Sequence, residues 1–262
     1  MISKTKLFLA LWLIGLAGVL SILLIDLNGL MTTLPLPPDA KTLTITPTLK
    51  FLSLVQPAVI LSIAVLIGAT LASKVGLKAP IAESAANGDN LIRALKPQIV
   101  PGIVGGLTGG IAIILIALAM KPFLSPEVGV RIGEFGSFVP ILTRLFYGGI
   151  TEEVLLRWGL MTLLVWAAWR LFQKGLDKPK PVVFIGAILI SSIVFGLGHL
   201  PIAFILFPQP SIALIIFVII GNSVFGLFAG YLYWKKGLES AMIAHMLAHV
   251  VLFTASYFGA YF

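Results

Sequence analysis

The sequence predicts an all-α fold, a polytopic transmembrane helix bundle of seven to eight spans with an intramembrane polar site. Three observations predict it. Hydrophobic residues make up 59% of the 262 and charged residues only 11%, against about 25% charged in soluble domains. Apolar runs long enough to cross a ~30 Å hydrocarbon core recur along the whole chain. Most charges fall between those runs, and the few that do not gather within one of them. Residues 1–262 are expected to form a single transmembrane domain, with N-terminal helices over 1–137 and a motif-bearing core over about 138–262.

The elements follow in order. Lys4 and Lys6 precede an apolar run from Leu7 to Ile25, too long for a signal-peptide core and expected to be retained as the first span. Asn28 to Lys50, with Pro35, Pro37, Pro38 and Pro47, reads as an extended external loop. Phe51 to Ala72 is the second span. Ser73 to Gln98 is the most soluble stretch, with a turn at Asn87-Gly88-Asp89. Ile99 to Met120 is the third span, and its glycines at 102, 105, 106, 109 and 110 offer a small-residue face for close helix contact. Phe138 to Phe172 would be about 50 Å long as one helix, at ~1.5 Å per residue, so it must tilt, kink near Gly159 or protrude. Gln173 to Lys180 is a basic turn. Pro181 to Leu200, Ser211 to Tyr233 and a last span from about Ser240 complete the set, and Pro201 with Phe207-Pro-Gln-Pro210 marks the loop between the first two of these.

The net charge of +8 is explained by topology rather than by a nucleic-acid partner. Starting from a cytoplasmic N-terminus, twelve of the 18 Lys and Arg fall inside, from Lys4 and Lys6 to Lys235 and Lys236. Four fall outside: Lys41, Lys50, Lys121 and Arg131. The positive-inside rule therefore sets the N-terminus in the cytoplasm. The chain has no cysteine, which removes disulfides, thiolate metal sites and cysteine nucleophiles.

Within the fourth span, Glu152, Glu153 and Arg157 are charges in an apolar segment. Each costs roughly 2.5–3.5 kcal/mol at a bilayer centre, so such groups mark a functional site. On a helix Glu153 and Arg157 are four apart, on one face, and neutralise each other. Glu152 points about 100° away, with Gly148, Gly149, Leu155 and Leu156 one α-helical turn from it. It is the glutamate free to react. A buried ion-pair network that only fixes packing is the alternative reading of the same residues.

All three histidines of the chain fall in predicted spans. His199 closes Phe195-Gly-Leu-Gly-His199, and His245 and His249 share one helical face. Two glutamates and three histidines on three spans form a candidate site. Glu152 lies roughly 12 residues from the outer end of its span and His245 about five from the inner end of the last, so the cavity is expected to open toward the cytoplasm. His199 reaches that depth only if the hairpin between Arg170 and Pro181 protrudes.

The motifs Glu-Glu-x-x-x-Arg at 152–157, Phe-x-x-x-His at 195–199 and His-x-x-x-His at 245–249 resemble the CAAX protease and bacteriocin-processing (CPBP) family, the Ras-converting-enzyme-like/Abi group of intramembrane proteases. Order and span positions match across Phe138–His249, somewhat under half the chain. The resemblance implies that Glu152 and His199 activate the attacking water, that Glu153 pairs with Arg157, and that His245 with the residue four later stabilises the oxyanion. It implies peptide-bond hydrolysis of a protein or peptide substrate entering from the membrane or the cytoplasmic side. The Gly148-Gly149 notch is where an unwound substrate backbone would be admitted. Membrane lipid is the other expected partner, and the expected location is a prokaryotic cell (inner) membrane.

Two departures from the family pattern bear on the chemistry. Leu156-Arg157-Trp158-Gly159 stands where Phe-Arg-Gly is common, and His249 stands where Asn or Asp is common. Histidines at i,i+4 form a frequent bidentate zinc arrangement, so His245 and His249, with His199 or Glu152, are candidate ligands of a divalent metal such as zinc. The competing functions are a proton-coupled transporter using the same groups as a relay, and a non-catalytic immunity or scaffold protein with the same fold. No second Glu-Glu segment supports the two related halves of a transporter.

Overall fold

The computed structural model describes residues 3–36 and 44–259. Its elements are helices α1 (Lys4–Ser21), α2 (Leu27–Thr33), α3 (Pro47–Leu52), α4 (Val55–Val75), α5 (Pro80–Asn87), α6 (Leu91–Met120), α7 (Pro126–Phe138), α8 (Ile141–Phe172), α9 (Pro181–Gly198), α10 (Leu200–Leu206), α11 (Ile212–Lys235) and α12 (Leu238–Tyr257). No strand occurs among the described residues. Among the described residues, seven helical segments are long and apolar enough to cross a membrane. Their outward faces are apolar, with Leu13, Ile63 and Leu115 all exposed, as a lipid-facing bundle requires.

Local chemistry sets the helix limits. Asn90 Oδ1 accepts the Arg93 amide at 3.1 Å, and Ser211 Oγ accepts that of Leu214 at 3.2 Å, so each caps a helix start. Gly76 and Gly88 end α4 and α5 with φ of +78° and +77°, a left-handed turn that a side chain resists. The Gly88 turn is where the sequence puts it. The soluble stretch around it is largely helical. Residues 80–87 are helical, and α6 starts at Leu91 rather than Ile99, running through Pro97 and Pro101. The loop expected over Asn28–Lys50 contains α2 and the start of α3; its Pro37 and Pro38 lie outside the described residues. Pro201 does not mark a loop but occupies the first turn of α10, where its missing N–H costs nothing.

Small residues bring the central helices together. A Cβ at Gly106 of α6 would lie 2.7 Å from the Ala244 carbonyl oxygen of α12, and one at Gly226 of α11 would lie 2.8 Å from Ser192 Cβ of α9. Gly159 of α8 likewise faces Ala64 of α4, with only 2.6 Å to its Cβ. α8 runs unbroken through Gly159, so the count is seven spans, not eight. It accommodates its length differently: Arg144–Glu152 and Val154–Met161 are π-helical. One core cluster joins Leu7 and Leu11 of α1 to Trp158 of α8 and Ala248 of α12.

The helices alternate in direction, which gives the bundle two distinct ends. At the end bearing Lys4 and Lys6, Glu239 Oε1 accepts the Ile81 and Ala82 amides at 2.9 Å each. There too Gln98 donates to the Lys236 carbonyl and accepts from Ser240. At the other end α7, a helix the sequence reading missed, lies across the bundle. Arg131 ties it down by donating to the Leu206 carbonyl at 2.8 Å, while pairing with Glu127 at the surface.

Candidate active site

α8 presents the two glutamates to different surroundings. Glu153 is wholly buried, whereas the side chain of Glu152 keeps 20% of its surface accessible. Glu153 Oε2 lies 3.2 Å from Arg157 Nε, the pairing expected from the sequence. Its other oxygen accepts from His245 Nδ1 at 2.8 Å, which the sequence reading did not anticipate. Arg157 donates from Nη2 to the Gly226 carbonyl at 3.1 Å, and its guanidinium lies 5.1 Å from the Phe195 ring centroid. The buried cation thus has a carboxylate, a carbonyl and a ring face around it.

His199 sits at the break between α9 and α10. Its Nδ1 lies 2.9 Å from the Phe195 carbonyl oxygen. A carbonyl only accepts, so Nδ1 carries the proton and Nε2 keeps its lone pair. His245 on α12 is anchored at Nδ1, and its Nε2 lies 4.0 Å from Glu152 Oε2. His249, one turn on, stacks on His245 with ring centroids 4.8 Å apart and planes at 13°. Its Nε2 is buried, has no hydrogen-bond partner and lies against Gly148, so close that a side chain at 148 would collide with it.

These groups border a cavity of about 570 Å³ lined by Tyr147, Gly148, Glu152, His199 and His249, with Phe135 of α7 over it. π-helical geometry explains why Tyr147 belongs there. In an α-helix residues 147 and 152 would point about 140° apart, at 100° per residue. A π-helix bonds five residues back and brings them onto one face. The neighbours assigned to Glu152 from α-helical spacing, Gly148 and Gly149, are instead turned toward α12. Both are buried, with Met246 packed on Gly149 and His249 on Gly148. Met246 fills the Gly149 half of the expected substrate notch, whereas Gly148 also lines the open space.

The cavity is walled from the end of the bundle opposite Lys4 and Lys6. Ile22 and Ile25 from the far end of α1, Val139 before α8 and Ile202 of α10 line it, all remote from Lys4 and Lys6. Depth along a span does not decide which way a cavity opens. α7 and the break at His199 leave space at one end, while the Glu239 and Gln98 contacts hold the other together. His245 lies behind Glu152, outside this cavity, and borders instead a space of about 50 Å³ with His199, His249 and Asn222. Asn222 of α11 was missed by sequence reading; a lone amide in an apolar span is the signal that could have found it. It donates to the Val218 carbonyl at 2.8 Å.

Among the described residues no three His, Asp or Glu side chains converge as ligands would. His245 and His249 lie ring over ring rather than aiming at a shared point, and His245 Nδ1 is committed to Glu153.

The family described as Type II CAAX prenyl endopeptidase Rce1-like matches residues 134–251. That stretch is an Rce1-like domain. All six residues singled out from the sequence lie in this Rce1-like domain, which spans α8 to α11 and most of α12. The seven spans make this an integral membrane protein, and its residues 134–251 are similar to a protease family. Comparisons with curated proteins and with solved structures gave no match.

Proposed function

We propose that this protein is an intramembrane endopeptidase in which Glu152 is the general base. What supports this most is the common cavity shared by Glu152, His199 and His249, together with the half-buried state of Glu152 beside a fully buried Glu153. The carboxylate of Glu152 takes a proton from a water that also donates to His199 Nε2. The water oxygen bonds to the scissile carbonyl carbon, and the C=O pair moves onto oxygen. His249, as its Nε2–H tautomer, and the Tyr147 phenol donate to that oxyanion, a contribution of about 2.7–4 kcal/mol per donor in other proteases. Collapse breaks the C–N bond, and the proton held by Glu152 passes to the leaving amine.

In this reading His245 does not stand in the oxyanion site. Its Nδ1–H is held by Glu153, and its Nε2 lies 4.0 Å from Glu152 Oε2, beyond hydrogen-bond reach, so it backs the base as a packing neighbour. The reaction is written without a metal because the histidine rings do not converge. A zinc site on His199, His245, His249 and Glu152 is the competing arrangement, and metal content measured on the purified protein discriminates the two. The test of the function itself is proteomics of membranes carrying the wild-type chain or Glu152→Gln. A cleavage fragment present only with the wild type is expected; identical fragment patterns overturn the proposal.

A further inference from the structure

Two independent observations bear on where the substrate comes from. The first is charge. In the folded chain Lys4, Lys6, Lys74, Lys78 and Arg93 lie at the same end of the bundle as the basic turn Lys174–Lys180 and Lys235-Lys236, because the helices alternate in direction. The Leu238 amide bonded to the Lys78 carbonyl, and Gln98 bonded to that of Lys236, hold these segments together. The opposite end carries Lys50, Lys121 and Arg131 among the described residues. An excess this large marks the cytoplasmic face.

The second is the position of the cavity. Its walls come from the opposite end: Ile22 and Ile25 after α1, Gly136 and Val139 around the end of α7, and Ile202 of α10. From there it descends along α8 past Tyr147 to Glu152. Glu152 lies eleven residues along α8 from Ile141, most of them π-helical, so the reacting group is set down inside the bundle rather than at its rim. A second space of about 310 Å³ at the end bearing Lys4 and Lys6, lined by Leu11, Ile81, Glu239 and Met246, does not have Glu152, His199 or His249 in its lining.

We propose that the substrate enters from the non-cytoplasmic face. The chemical class is a polypeptide segment displayed at or beyond the outer leaflet, such as the juxtamembrane part of a membrane-anchored chain, and not a cytosolic C-terminus. This rests on hydrolysis at Glu152, and it is tested separately from it.

The absence of cysteine makes the native chain a clean background for labelling. Single variants Ile25→Cys, at the cavity mouth, and Glu127→Cys, on α7, are compared with Lys178→Cys in the basic turn, using a membrane-impermeant maleimide on intact cells. The first two are expected to label before permeabilisation and Lys178→Cys only after it. Modification of Ile25→Cys from outside is also expected to stop release of the Glu152-dependent fragment. Labelling of Lys178→Cys in intact cells, or of Ile25→Cys only after permeabilisation, overturns the proposal while leaving the chemistry at Glu152 standing. If the labelling is as expected but no fragment depends on Glu152, the hydrolytic reading fails, and a substrate route falls with it.

Discussion

His245 Nδ1 lies 2.8 Å from Glu153 Oε1, so one wholly buried carboxylate is shared between an imidazole and the guanidinium of Arg157. Sharing gives Glu153 two separable duties. Arg157→Ala is expected to destabilise the fold by about 3–5 kcal/mol, the usual cost of leaving one partner of a buried pair uncompensated. Replacing Glu153 and Arg157 together by a neutral pair of similar size should restore most of that stability, read by thermal unfolding. It should not restore proteolysis, because His245 has then lost the acceptor that orients it. A double variant as unstable as Arg157→Ala would show that the two are not partners.

The Tyr147 phenol shares the helical face of Glu152 only because α8 is π-helical there. Tyr147→Phe keeps the ring and removes the donor. A fall in kcat of about 10²–10³, with KM nearly unchanged, is expected for loss of one oxyanion donor. Wild-type kcat in this variant would leave His249 as the oxyanion donor without Tyr147.

The sequence made part of this site legible and hid the rest for physical reasons. Glu153 and Arg157 four apart on a helix had to meet, and no other cation stands at that spacing. His199, at the end of α9, and His245 and His249, on α12, border one small space, though their rings do not aim at a shared point. What could not be read was the local helix type: α-helical spacing turns Glu152 toward Gly148 and Gly149, whereas the π turns set it beside Tyr147. Nor does the Glu153–His245 bond follow from spacing, since it joins α8 to α12 across the bundle. α7 was legible in principle, because Ser125-Pro126 is a helix-start signal. It was overlooked for its modest apolarity, and with it the wall that decides which end of the cavity is open.

His249 distinguishes an oxyanion donor from a metal ligand. His249→Asn offers a neutral N–H donor and is expected to keep much of the activity, while His249→Leu is expected to lose about 10²–10³ in kcat. The purified wild type should carry no stoichiometric zinc. Near one equivalent of zinc per chain, lost together with activity in His249→Ala, would establish the metal site instead.

The central claim is that Glu152 takes the proton from the attacking water. Its most direct test is the turnover of Glu152→Gln on the fragment-yielding substrate, measured on protein that inserts and unfolds at the wild-type temperature. Glutamine keeps the shape and the cavity lining but cannot accept that proton, so cleavage is expected to fall to background. Turnover near wild type in Glu152→Gln would contradict the account.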